Sequence, residues 1–209
     1  LQLLLNNQAP GRWDQGALPI TLVDLDALGE PASKPPKGAA AHQPTLEKIT
    51  LQRFKAELSS QRGDLAQITG TGQWLHAGAA GEAQAQLTVS NLHPVALDKR
   101  LAPMRLGGPI KLSLQGLPPP NVLLGVAAQP GTLKLDVDAR LHGRLDAAAG
   151  GSPEVELRVD ASLAPDRVTL RELKAQAAGA QAQLQGKLDQ TGPQRWHWQL
   201  KGQLQDFDP

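Results

Sequence analysis

The chain contains no cysteine. A disulfide, an iron–sulfur cluster, a thiolate zinc site and a cysteine nucleophile are therefore excluded. Aromatic residues are scarce, with four Trp, two Phe and no Tyr in 209 residues. That excludes a core of stacked aromatics and an aromatic platform for nucleic-acid bases. Charge of one sign is not in excess either: Lys plus Arg is 21 and Asp plus Glu is 20. No basic face follows from that balance, and no nucleic-acid partner is expected. Long apolar runs are missing, and the start offers only Leu3-Leu4-Leu5. A membrane-spanning helix needs roughly 20 such residues. What remains is a chain in which Leu, Ala and Val supply nearly all the apolar surface. The apolar fraction of 40%, with 21 Gly besides, is that of a globular chain and excludes full disorder. Its length suits one large domain or two small ones. Leu1 in place of Met, and Pro209 directly after a strand-like run, read as a piece of a longer protein. Any signal peptide would then lie outside it.

Alternation with a period of two dominates the pattern. Leu133, Leu135, Val137, Ala139 and Leu141 alternate with Lys134, Asp136, Asp138 and Arg140. Val155, Leu157, Val159, Ala161 and Leu163 repeat the scheme, as do Ala83 to Val89, Ile110 to Leu114, and Trp196, Trp198 and Leu200. A strand turns successive side chains to opposite faces, so each segment has one apolar and one hydrated face. A parallel sheet covered on both sides would read as unbroken apolar runs instead. The expected fold is all-β: an elongated, mainly antiparallel sheet curled into an open apolar groove.

Glycine and proline clusters should separate the strands: Gly107-Gly108-Pro109, Pro118-Pro119-Pro120, Pro130-Gly131, Gly150 to Pro153, and Gly192-Pro193. The stretch 29–44 is rich in Pro and Ala, and is expected to be a disordered linker or loop. It divides a β segment over 1–28 from a repeating β region over 45–209, which could hold two units, 45–116 and 117–209. A short helix is a weaker candidate over Pro94 to Arg100. Two internal echoes stand out. Val89-Ser-Asn91-Leu92-His-Pro94 returns as Leu204-Gln-Asp206-Phe207-Asp-Pro209, and Leu51-x-x-Phe54-x-Ala56 returns as Leu170-x-x-Leu173-x-Ala175. In the second pair the apolar positions switch parity between the first and second apolar residue. One extra residue in a strand does this, so a β-bulge is expected in both copies. Chance similarity in a chain rich in Leu, Ala and Gln is the competing explanation.

Catalytic chemistry has no visible support. The five histidines, His42, His76, His93, His142 and His197, are scattered, and none lies three or four residues from another. A metal or general-base role is not indicated. Gly70-Thr-Gly72-Gln-Trp74 begins like a dinucleotide loop but lacks the third glycine, so a turn between strands explains it better. No Gly-x-Ser-x-Gly elbow occurs. Acidic residues alternate along strands, as solvated faces do. No enzyme activity, cofactor or metal is expected.

The segment Leu5-Asn6-Asn7-Gln8-Ala9-Pro10-Gly11-Arg12-Trp13-Asp14-Gln15-Gly16-Ala17-Leu18-Pro19-Ile20 resembles a recurrent element of the TamB (translocation and assembly module subunit) family. Asn91-Leu92-His93-Pro94, followed by the strand from Leu106 to Gly116, looks like a second pattern of that family, and Asp206 to Pro209 like the start of another unit. The wider AsmA-like group of periplasmic bridge proteins shares the style. The resemblance implies a groove-shaped, β-taco-like sheet lined with apolar side chains. It also implies a parent protein held in the inner membrane by an N-terminal helix and crossing the periplasm. Phospholipid transport between the membranes, outer-membrane assembly and a TamA-like outer-membrane partner would follow. No match to the family's C-terminal end is visible, which suggests a middle segment.

The residues point the same way without the resemblance. A one-sided sheet must hide its apolar face by folding into a sandwich, closing into a barrel or staying open as a trough. A lining of Leu, Val, Ala and Gly suits acyl chains, which need no hydrogen bonds. The expected lining is Leu112, Leu114, Leu133, Leu135, Val137, Leu141, Val155, Leu157, Val159, Leu163, Trp196, Trp198 and Leu200, with phospholipid acyl chains as the ligand. The main alternative is a β-sandwich interaction module with a closed core and no lipid. A transmembrane barrel would need aromatic girdles, and the chain has six aromatic residues. Free edge strands at either end should favour self-association.

Overall fold

The computed structural model describes residues 1–7, 19–31, 46–60, 63–77, 80–96, 100–117, 133–146, 152–192 and 195–206. Eleven strands form one antiparallel sheet in simple sequence order. They are β1 (Gln2–Asn6), β2 (Ile20–Pro31), β3 (Leu46–Ser60), β4 (Gly63–Ala77), β5 (Ala80–Leu92), β6 (Met104–Leu117), β7 (Lys134–Leu145), β8 (Glu154–Ala164), β9 (Arg167–Ala177), β10 (Ala180–Gly192) and β11 (Arg195–Gln205). β1 and β11 do not pair with each other, so the sheet is open. Each strand packs extensively only on its neighbours in sequence. The fold class read from the alternation is the one observed.

Local chemistry explains the up-and-down path. β9 and β10 are joined by Ala178 and Gly179 alone, both with positive φ. That is the backbone of a two-residue hairpin turn whose twist matches the flanking strands. Pro165 and Asp166 make an equally short link from β8 to β9. No helix among the described residues is long and apolar enough to cross a membrane.

Both parity switches are β-bulges. On β3 the residues Gln52 and Arg53 stand opposite Thr71 alone, between the pairs Leu51–Gly72 and Phe54–Gly70. On β9 the residues Arg171 and Glu172 stand opposite Gln185, between Leu170–Gly186 and Leu173–Leu184. The extra residue restores the phase, so Leu51 and Phe54 share one face, as do Leu170 and Leu173. The other echo is expressed in the backbone too. Asn91 and Asp206 both adopt φ of 52°. The echoes therefore relate β3 to β9 and β5 to β11, a step of six strands.

Three expectations need correcting. Gly70 and Gly72 do not form a turn but lie in the middle of β4. A Cβ at Gly70 would meet the Gln86 carbonyl at 2.3 Å, and one at Gly72 would meet the Gln84 carbonyl at 2.8 Å. Their purpose is close backbone approach beside the β3 bulge. Gly107-Gly108-Pro109 does not separate strands either, because β6 runs through it. Gly108 and Pro109 pair with β5 but have no partner on β7, so the missing proline N–H falls in a gap of the ladder. The first three residues of the expected linker are strand: Gly29, Glu30 and Pro31 belong to β2 and pair with Ile49, Lys48 and Leu46. The rest of that stretch, 32–44, lies outside the described residues. Of the helix candidate, Pro94–Ala96 form a 3-10 turn, and 97–99 lie outside the described residues.

Candidate functional site

Strand register turns the alternating segments into rows that cross the sheet at right angles to the strands. One row runs Ile49, Trp74, Ala83, Leu114, Leu135, Leu163, Val168, Leu188, Trp198. The next runs Leu51, Gly72, Ala85, Leu112, Val137, Ala161, Leu170, Gly186, Leu200. A third contains Phe54, Leu87, Ile110, Ala139, Val159, Leu173 and Leu184. Leu141 and Leu157 pair in a fourth, and Val155 with Ala177 in a fifth. Eleven of the thirteen residues expected to line a groove thus fall in these rows on one face. Leu133 and Trp196 extend the same alternation beyond the first row, Leu133 just ahead of β7 and Trp196 opposite Gln190.

The face is covered along one margin of the central strands and bare toward β11. The 3-10 turn between β5 and β6 lays Ala96 over a cluster of Leu65, Ala66, Val89, Leu106, Leu141 and Val155. His93 fastens the turn by donating its backbone N–H to the Leu65 carbonyl at 2.8 Å. Sequence reasoning missed this plug, because only the register shows what Ala96 reaches. Elsewhere the cover is thin. Among the described residues, six of the twelve buried residues that form the core are alanine, and no polar residue is buried. Toward β11 the apolar side chains stand in the open: Leu163 is 37% exposed, Leu200 45% and Trp198 66%. Between β3 and β7 the first two rows enclose a pocket of about 260 Å³, bounded by Leu51, Trp74, Ala85, Leu112, Leu114 and Leu135. Burying one methylene there is worth about 0.8 kcal/mol, so a ten-carbon stretch gains several kcal/mol without a polar contact.

The opposite face carries the charges. The ion pairs Glu30–Lys48, Asp24–Arg53, Lys134–Asp136, Arg158–Glu172 and Arg167–Asp189 all lie there. Such exposed pairs are each worth little. One arrangement is denser. The β9 bulge aims Arg171 along the sheet, where Nε donates to Asp160 Oδ1 at 2.7 Å and Nη1 to Asp136 Oδ1 at 3.0 Å. Both carboxylates hold the guanidinium pKa above its ordinary value, Asp160 first. Hydrogen bonds from Lys134, Arg171 and Ser162 in turn hold Asp136 below the ordinary 3.8, Lys134 contributing most and partial desolvation opposing them. A carboxylate whose pKa is lower in the folded chain adds stability above its unfolded value, and that stability is lost as pH falls through the folded value. Thermal melts followed by circular dichroism should therefore show a drop in midpoint as pH falls below about 4. Asp136→Asn should flatten that drop. Equal acid sensitivity in both chains would deny Asp136 this role.

Among the described residues, no group of three or more His, Asp or Glu is placed to hold a metal ion. No protein-family model, curated protein or solved structure matches the chain.

Proposed function

We propose that this chain is a periplasmic segment of a TamB-like, inner-membrane-anchored protein, and that its apolar face carries phospholipid acyl chains between the inner and outer membranes in support of outer-membrane assembly. The observation that carries the reading is the set of apolar rows, continuous over nine strands and left open toward β11. A row that crosses nine strands offers a sliding chain an apolar surface at each step. No charge interrupts it, so movement along it meets no desolvation barrier. The single sheet, in which strands pair only with their neighbours in sequence, supports this over a two-sheet sandwich with a closed core. A TamA-like protein would be met by the parent protein at the outer membrane.

Native mass spectrometry of the purified chain should find phospholipid bound. Phospholipid brominated along one tail should quench the fluorescence of Trp74, which lines the pocket. Lipid-free protein that shows no quenching with brominated vesicles would overturn the reading.

A further inference from the structure

The charged face holds a second concavity, a cleft of about 550 Å³ that spans β3 to β7. Two polar rows flank it. One is Thr50, Gln73, Gln84, Ser113, Asp136, and the other Thr71, Gln86, Lys111, Asp138, each residue paired in register with the next. The two bulges bound it. Gln52, the extra residue of the β3 bulge, lines one end. Arg171, the extra residue of the β9 bulge, lines the other and bridges Asp136 of the first row to Asp160, the β8 neighbour of Asp138 in the second. Bulges re-aim side chains, and they occur preferentially beside functional sites. Here two of them, six strands apart, deliver their re-aimed residues to one cleft.

The lining indicates the ligand. Its charges cancel: Lys111 and Arg171 against Asp136 and Asp138. The remaining polar side chains are glutamines, threonines and a serine, which both donate and accept hydrogen bonds. Asp138 Oδ1 accepts no hydrogen bond in the fold, although Arg140 Nε stands 3.7 Å away as an ion-pair partner. Its lone pairs remain free to accept a hydrogen bond from a ligand hydroxyl. The sheet's own ladder uses the backbone amides under the cleft, so an extended peptide could not add on as a strand. Rungs repeat at the strand spacing, about 4.8 Å, close to the length of one sugar ring in an extended glycan. We propose that this cleft binds an uncharged linear glycan, one sugar for each strand crossed, on the face opposite the lipid groove. Five strands leave four intervals, about 19 Å, which fits four to five sugars. With no aromatic side chain in the lining, binding is weak, with dissociation constants near millimolar.

Titration of the isotopically labelled chain with uncharged β-1,4-linked oligosaccharides of one to six sugars, followed by NMR of the glutamine side-chain amides, tests this. Affinity should rise at least tenfold from the disaccharide to the pentasaccharide and then level off. The double variant Gln73→Ala/Gln84→Ala, in which two exposed side chains are shortened, should lose at least fivefold for the pentasaccharide. Its phospholipid binding should stay unchanged. Equal affinity for short and long oligosaccharides, an unaffected double variant, or tighter binding of a sulfated polyanion would each overturn the proposal.

Discussion

Val137→Arg should abolish most phospholipid binding, whereas Asp138→Arg, one residue on, should leave it intact. Val137 sits in the second apolar row between Leu112 and Ala161. An arginine there puts a charge in the path of every acyl chain that passes β7. Desolvating that charge is expensive, and a loss of at least tenfold in lipid affinity is expected. Part of the cost falls on the fold itself, about 1–3 kcal/mol, the usual range for a mispatterned side chain on a half-buried face. Asp138 faces the other way, opposite Lys111 and Asp160 and 3.7 Å from Arg140 Nε. Replacing it removes one exposed ion pair, worth about 1 kcal/mol at most. Lipid co-purification and brominated-lipid quenching compare the two variants, with folding checked by circular dichroism. A folded Val137→Arg that carries lipid like the parent would show that the groove does not run past β7. If Val137→Arg unfolds and the parent never carries lipid, the face is a closed core.

Gly143→Val should destabilise the sheet more than any surface change, by more than about 3 kcal/mol. A Cβ at Gly143 would stand 1.8 Å from the Arg105 carbonyl oxygen and 3.0 Å from the Leu106 Cα. Both obstacles are backbone atoms of the paired strand, so no side chain can swing aside. β6 and β7 would have to part beside Leu106 and Leu141, where the apolar face is best covered. Gly192→Ala makes the control, because nothing lies within 4 Å of a Cβ there. Urea unfolding should show a much lower midpoint for Gly143→Val and an unchanged one for the control. Equal midpoints would mean that the strands tolerate separation, and that the close approach at Gly143 holds nothing together.

Much of this architecture is legible in the residues. Alternation over Leu133 to Leu141 and Val155 to Leu163 marks strands and assigns their faces without reference to any partner. The parity switches at Leu51/Phe54 and Leu170/Leu173 mark the bulges because a bulge is itself a local event, one residue too many. Glycine and proline mislead where the signal is not local. Gly70, Gly72 and Gly107-Gly108-Pro109 look like turns, yet they sit inside strands because a neighbouring backbone comes too close for a side chain. The pairing of Arg171 with Asp136 joins residues on strands that are not neighbours, and no spacing in the chain announces it.

The period-2 pattern, acting through nothing but the geometry of an extended chain, decides that the molecule is a sheet with one apolar and one hydrated face. Which apolar residues meet is decided elsewhere. A slip of one residue between two strands would send a whole strand's apolar side chains to the wrong face. Only the sum of turn lengths and bulges over eleven strands prevents that. The rows, the plug of Ala96 over one margin of the groove, the exposed stretch at Trp198 and the cleft between the two bulges all depend on that sum. They are properties of the folded sheet, because each joins residues that the chain keeps far apart.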